Sequence, residues 1–432
     1  MQALEGRKIA GAQVKVDARG GTHIAFFDAV PLAEGPGATY GYCPPPAGQC
    51  ADPAKWSFTP RIGAIVDEVQ LQLTPQGQPR MVIGFHATAN NREVYLYAEC
   101  NANCTAAEES WAFVAIGQRS LSTFMPGLAQ QPKRSFALDP QGRPGFVYFD
   151  DDYMPDPDHA GGYYSSCQSD CALPESWTEA RLTYRDRGFN ERIGQPVLRY
   201  TPAGNPVILA ELYPLDGAGE PGIYYFACQQ SCSENGAHSW SRMRVAERTS
   251  GAQPSWDLEL DAQGRPRVAY FKYLSQADTT RHLFYLWCDA ACASGGDWQR
   301  SSMGLDDDEG VGADLVLDGQ GRPRAAFLTT TSLGYVWCDR GCGTPQSWQG
   351  RAADTDEQMA KDYPLALPST CRAGIWDGYA PSLALAPGGA PVMAYDASYQ
   401  ASCQYVDPTN PGGPPRDEFR EIWHSVRVVL GP

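Results

Sequence analysis

One segment recurs seven times along this chain, and it confines the fold more than any other feature. It is a short strand, a tight turn carrying Gly and usually Pro, and a second apolar strand; Leu258-Glu-Leu-Asp-Ala-Gln-Gly-Arg-Pro-Arg-Val-Ala-Tyr270 is the clearest copy. The turn glycines are Gly20, Gly77, Gly142, Gly204, Gly264, Gly321 and Gly389, spaced by roughly 60 residues, so the repeat fills the whole polypeptide.

A self-similar unit built only from short strands predicts a propeller blade, since helical repeats would show a 3.6-residue apolar period and none is present. The second strand of each unit is an unbroken apolar run, as in Ile24-Ala-Phe-Phe27, Met81-Val-Ile83, Phe146-Val-Tyr148 and Val268-Ala-Tyr270. Such runs suit strands buried on both faces. The expected fold is all-β, a single seven-bladed β-propeller with four antiparallel strands per blade. Approximate blades are 1–66, 67–129, 130–194, 195–251, 252–308, 309–378 and 379–432. Contiguous blades are favoured over the addition of Lys8-Ile-Ala10 to the last one, because the chain ends on a good strand, Trp423-His-Ser-Val-Arg-Val-Val-Leu430.

Before six of the seven glycines stands an Asp or Thr: Asp17, Thr74, Asp139, Thr201, Asp261 and Asp318. Such a side chain accepts hydrogen bonds from the backbone just after it, Gly supplies positive φ, and Pro fixes the entry to the next strand. This ring is therefore read as turn capping.

The second half of the unit carries Tyr-x-x-Cys-x-x-x-Cys followed by Trp. The copies are Tyr97/Cys100/Cys104/Trp111, Tyr164/Cys167/Cys171/Trp177, Tyr225/Cys228/Cys232/Trp240, Tyr285/Cys288/Cys292/Trp298 and Tyr335/Cys338/Cys342/Trp348, with a longer version, Tyr40/Cys43/Cys50/Trp56, in the first unit. Tyr marks the third strand, Trp the start of the fourth, and the cysteines the hairpin between them. Cysteines four apart would lie about 13 Å apart in a strand, while a disulfide needs Cα atoms within roughly 7 Å, so the chain must fold back there. Each such staple contributes about 2 kcal/mol in the loop-entropy model, a local lock and not the main source of stability. Of 14 cysteines, Cys371 and Cys403 remain. With Tyr405 taken as the last unit's third-strand tyrosine, Cys403 faces the long connection holding Cys371, and a Cys371–Cys403 bridge is expected, contributing up to roughly 3.7 kcal/mol. Seven pairs and no orphan thiol fit a secreted, periplasmic or cell-surface protein.

The formal charge of -16 disfavours nucleic acid and anionic membranes as partners, and no apolar run is long enough to span a membrane. The blade consensus, Asp-x-x-Gly-x-Pro followed by an apolar strand and a Trp, resembles bacterial secreted seven-bladed propellers with disulfide-stapled hairpins, an architecture shared loosely with sialidase-like and lectin propellers. The sialidase Asp-box, Ser-x-Asp-x-Gly-x-Thr-Trp, is absent, so sialidase activity is not carried over. No Walker loop, His-Glu-x-x-His or Gly-x-Ser-x-Gly occurs either.

Loops on the side of the disc away from the Gly turns and cysteines differ between units, and there the candidate ligand-binding residues are sought: Asp28, His86, Asp150, Arg185, Arg187, Glu211, Lys272 and Asp396. Asp150, Asp152, Asp156 and Asp158, with Pro155 and Pro157 holding the chain extended, offer oxygen ligands to Ca²⁺, the only cofactor considered; Asp306 to Glu309 is a second acidic cluster, and solvated loops are the plain alternative for both. Trp287 and Trp337 suit sugar stacking or, more simply, cover for the outer strand. The leading expectation is a non-enzymatic extracellular protein binding a glycan, peptide or protein. The alternatives are a hydrolase or lyase at the central mouth, and a structural module of a larger surface protein. An enzyme should cluster buried charges at one axial pocket, whereas a lectin should repeat shallow aromatic sites around the ring.

Overall fold

The computed structural model describes residues 9–28, 37–63, 66–87, 92–120, 134–150, 161–183, 191–214, 220–234, 239–247, 255–273, 281–307, 311–329, 332–364, 367, 369–372, 374–405 and 416–431. Their strands form seven antiparallel sheets, each built from strands consecutive in sequence; six have four strands and the seventh has three. The inner strands are Ile9–Val16, Val66–Leu73, Phe136–Leu138, Glu191–Tyr200, Trp256–Leu260, Val311–Leu317 and Ile375–Leu385. Each contacts the next, and the last contacts the first, so the sheets close into a seven-bladed propeller.

The buried apolar side chains fall into seven clusters, one between each pair of adjacent blades. Phe27, Leu71 and Met81 share the first seam; Ile24, Val392 and Ala394 share the closing one. The unbroken apolar strands have this cause: both faces of each inner sheet lie in a seam. Each fully buried Leu, Ile or Phe contributes about 1.5–3 kcal/mol there.

The turn chemistry is as expected from the residues. Asp139 Oδ1 accepts from the amides of Gln141 and Arg143, both at 2.9 Å, and Asp261 Oδ1 from those of Gln263 and Arg265. Thr74 and Thr201 accept one such bond each with a hydroxyl, from the amides of Gln78 and Asn205.

Every expected disulfide is formed. Six lock blade hairpins: Cys43–Cys50 in the first blade, then Cys100–Cys104, Cys167–Cys171, Cys228–Cys232, Cys288–Cys292 and Cys338–Cys342, with Cα atoms 5.7–5.9 Å apart. The seventh is Cys371–Cys403, and no free cysteine is left. In each four-residue hairpin the chain reverses through a left-handed residue just before the second cysteine: Asn103, Asp170, Ser231, Ala291 and Gly341, with φ between 52° and 67°. This reversal brings together two cysteines that an extended strand would hold apart. Each Trp indole then donates to the carbonyl of that second cysteine, from 2.8 Å at Trp56 to 3.2 Å at Trp240. The third-strand tyrosines reach across the seams, packing on the tryptophan of the next blade at 5.2–5.5 Å between ring centroids. Trp287 and Trp337 lie along Tyr285 and Tyr335, partly buried against the seam clusters.

The last blade departs from the expected strand plan. Pro391–Tyr405 is one continuous second strand, and Arg416–Leu430 pairs along all of it, so Tyr405 ends the second strand and does not open a third. The Cys371–Cys403 bridge nonetheless forms, with Arg372 and Gln404 bonded to the backbone on either side of it. The short helix Asp356–Asp362, which follows the outer strand of the sixth blade, packs against the last blade through Met359. Arg427 holds it, donating to Asp354 at 2.7 Å and to Asp362 at 2.9 Å.

Candidate functional site: a charged sector of the inner wall

The inner strands place one residue per blade at the same height on the axial wall: Gln13, Gln70, Ser135, Val197, Asp257, Asp314 and Ser382. Five of them accept a hydrogen bond from the backbone of the next blade, always in the same rotational sense. Gln13 accepts from the Leu71 amide and Gln70 from Phe136, both at 2.9 Å. Asp257 accepts from Leu315 at 2.8 Å, Asp314 from Leu383 at 2.6 Å, and Ser382 from Val14 at 3.1 Å. Between the third and fourth blades the Arg134 carbonyl takes over, bonding the Leu198 amide. Val197 has no polar atom to offer; there the Trp256 indole donates to the Gln195 carbonyl at 3.1 Å.

One sector of this wall is charged. Arg134 lies 3.6 Å from Asp257 and 3.2 Å from Asp314. Arg199 pairs with Asp257 at 3.0 Å and with Glu259 at 2.8 Å. Lys15, half-buried on the same wall, adds a third cation. Five blades thus supply three carboxylates and three cations. Exposure of the acidic side chains grades from 0% at Asp257 through 9% at Asp314 to 26% at Glu259.

The two aspartates titrate apart. Burial pushes Asp257 up against the pull of Arg134 and Arg199. Burial also acts on Asp314, but Arg134 and a hydrogen bond from Asp257 outweigh it and hold Asp314 below the usual carboxylate range. The two carboxyls are coupled and take up protons in separate steps, Asp257 before Asp314 as pH falls. Burial lowers Lys15 as well, with Asp314 opposing.

Sequence reasoning missed all six of these residues. The signal was in the repeat: Asp-Leu-Glu-Leu at 257–260 stands where Gln-Leu-Gln-Leu stands at 70–73 and Ser-Leu-Ala-Leu at 382–385. The loops differ between units too, but the charge substitution that matters here is on the strands.

Of the expected ligand-binding residues, two have described side chains. Asp396, 3% exposed, accepts from the Gly11 amide at 2.7 Å and the Ala12 amide at 2.9 Å, fastening the last blade to the first. Burial pushes its carboxyl up to about 7 despite those two bonds. Glu211, 1% exposed, lies opposite Gly194 at a bulge of the fourth inner strand. Asp28, His86, Asp150 and Lys272 lie at or near the outer ends of their second strands, paired with Ile9, Glu93, Gly161 and His282. Asp306 pairs with His282 in the fifth sheet. Arg185, Arg187, Asp152, Asp156, Asp158, Asp308 and Glu309 lie outside the described residues.

The cysteines keep the structural role expected of them and stand apart from the charged sector. Cys43, Cys50, Cys100, Cys104, Cys167, Cys171, Cys228, Cys232, Cys288, Cys292, Cys338 and Cys342 sit in the hairpins between third and fourth strands, and Cys371 and Cys403 in the last blade. All fourteen are disulfide-bonded, and a sulfur in a disulfide has no thiolate with which to attack a substrate or bind a metal. Among the described residues no group of three or more His, Cys, Asp or Glu is placed to hold a metal ion, and no helix is long and apolar enough to cross a membrane.

No protein-family model matches the chain, and no curated protein matches it. Solved structures do. A Dyadobacter fermentans protein of unknown function is 10% identical with a TM-score of 0.45, over 100% of this chain and 98% of its own. An α-L-arabinanase of Penicillium chrysogenum, solved with arabinobiose, is 13% identical with a TM-score of 0.41, over 76% and 93%. An α-L-arabinofuranosidase of Fusarium graminearum is 11% identical with a TM-score of 0.43, over 76% and 93%. At this distance the likeness concerns architecture alone. The expectation of a non-enzymatic binding protein is nonetheless corrected. Buried charge gathered on the inner wall is what was expected of an enzyme and not of a binding module, and two of the three structures named above are hydrolases by name.

Proposed function

We propose that this protein is a hydrolase acting outside the reducing cytoplasm, with its chemistry on the charged sector of the inner wall. One observation carries the reading. Gln13, Gln70 and Ser382 close their seams with neutral side chains, so closing a seam does not require an aspartate. Burying ion pairs is commonly no better for stability than burying neutral groups. The ionic cluster around Asp257 and Asp314 is therefore surplus to the fold, and clustered groups of shifted pKa in a concave site are how acid–base chemistry is arranged.

In this reading Asp314, ionised and partly accessible, is the general base, and Glu259, the most exposed carboxylate, is the second acid–base group. Asp257 is a positioning residue that holds Asp314 through the hydrogen bond between them. Arg134 and Arg199 stabilise negative charge developing on the reacting oxygen. Elsewhere the wall carries the polar, neutral side chains of Gln13, Gln72 and Ser135, surroundings suited to an uncharged, polyhydroxylated substrate; we assign a glycan.

The test is hydrolysis of a panel of neutral polysaccharides, with esters and peptides alongside, by the wild type and by Asp314→Asn and Glu259→Gln. Glycan hydrolysis lost in both variants while both remain folded is the expected result. Cleavage that survives Asp314→Asn unchanged, or no cleavage of any class by the wild type, would overturn the assignment.

A further inference from the structure

On the face carrying the glycine turns and cysteine hairpins, a groove of about 560 Å³ runs between the first and second blades. That is within the roughly 300–1,000 Å³ of small-molecule sites. It lies where the first blade breaks the repeat. In the second, fifth and sixth blades an arginine follows the strand-opening proline and knits the hairpin to the turn. Arg80, Arg267 and Arg324 each donate to the carbonyl of that proline and to the carbonyl of the first hairpin cysteine, at 2.9–3.1 Å. The first blade has His23 at this position.

His23 makes a different set of contacts. Its Nδ1 lies 2.7 Å from the Tyr40 hydroxyl and its Nε2 lies 3.3 Å from Asp17 Oδ2. An ionised carboxylate only accepts, so Nε2 carries the proton and Nδ1 accepts from Tyr40. Burial lowers the His23 pKa and Asp17 opposes it, and the ring stays neutral. Burial works to raise Asp17, but the amide of Gly21 and His23 outweigh it and keep the carboxylate ionised. Gly21 is bare for a reason: a Cβ there would sit 2.7 Å from Asp17 Oδ2 and 2.9 Å from the Tyr42 hydroxyl, so those two polar groups converge on one point. The Tyr42 ring, half-buried, leans on His23 at 4.9 Å between centroids. The second blade closes the groove with Gln76, Gln78, Asn103 and Thr105.

We propose that this groove is a second binding site, separate from the axis, for a neutral saccharide of one or two rings. One aromatic face, a carboxylate and a hydroxyl side by side, and an opposite wall of amides and a hydroxyl match a ligand whose surface is sugar C–H on one side and hydroxyls around its edge. Asp17 and Arg19 balance in charge, which favours no ionic ligand. The assignment stands independently of hydrolysis at the inner wall.

The experiment is titration calorimetry with ligand-observed saturation-transfer NMR on the full chain, using cellobiose, maltose, lactose and arabinobiose. At least one is expected to bind with Kd on the order of 1 mM. Tyr42→Ala should weaken it by about tenfold or more, and Gln76→Trp, on an exposed turn, should block it. Asp314→Asn should bind as the wild type does. Should Tyr42→Ala fail to fold, Gln76→Trp decides alone. Absence of binding by all four sugars overturns the proposal, as does binding that Gln76→Trp leaves unchanged or that Asp314→Asn abolishes.

Discussion

Two stretches of the same inner wall perform one task with different chemistry. Between the first three blades the seams are closed by the amides of Gln13 and Gln70; between the last three, by the carboxylates of Asp257 and Asp314. The accepting geometry is alike, yet the carboxylates bring Arg134, Arg199 and Lys15 with them. A repeat protein thereby contains its own control: what the glutamines do is what the fold needs, and what the aspartates add calls for another explanation.

The sharpest way to break this comparison is to make the charged seam neutral. Asp314→Asn keeps an acceptor for the Leu383 amide while removing the charge facing Arg134. Catalytic turnover should fall by about 10²–10⁴-fold, with thermal denaturation showing a much smaller change. A large loss of stability with activity retained would put the aspartates back among structural residues.

Asp396 supplies a pH test of the closing seam. Its folded pKa, about 7, exceeds the ordinary carboxylate value, so the folded state holds a proton that the unfolded state has released. Stability should therefore fall as pH rises from about 4 to 7 and level off above, by an amount on the order of a few kcal/mol. Asp17, Asp261 and Asp318, shifted downward by backbone hydrogen bonds against the effect of burial, act oppositely and cost stability only as pH drops below about 4. Denaturant melts across pH 4–8 should show this slope in the wild type and a flatter one in Asp396→Asn. Equal slopes in both would remove Asp396 from the account.

Disabling a neutral seam should have the converse signature to the first variant. Gln70→Ala strands the Phe136 amide and should cost about 1–3 kcal/mol in denaturant melts with kcat unchanged. The smallest effect expected is a gain: Ala291, left-handed at φ 53°, should accept glycine with about 0.5–1 kcal/mol of added stability. Its neighbour Gly341, already glycine in the equivalent hairpin, should lose a similar amount on becoming Ala.

The scaffold was legible because its signals are local and repeated. Glycines at positive φ, capping Asp and Thr, paired cysteines and the following Trp each have a short-range cause, and seven copies average out accident. The seventh blade was less so: Tyr405 looks like the third-strand tyrosines, but only the pairing of Pro391–Tyr405 along the whole of Arg416–Leu430 shows it continuing the second strand. The charged wall was hidden for a related reason. Lys15, Arg134, Arg199, Asp257, Glu259 and Asp314 are far apart in sequence, and only closure of the ring brings them together. The Tyr–Trp contacts were hidden in the same way, since the partner of each tyrosine stands one blade ahead and has no mark in the chain.

Five side chains of the inner wall take an amide from the next blade in one rotational sense, and Ser382 to Val14 continues that series across the closing seam. That seam uses the same joint as its neighbours and adds Asp396, which accepts from the Gly11 and Ala12 amides. The ring is a loop of seven joints, each with an acceptor on one blade and a donor on the next, so every blade carries an acceptor edge and a donor edge and can face its neighbours in only one sense.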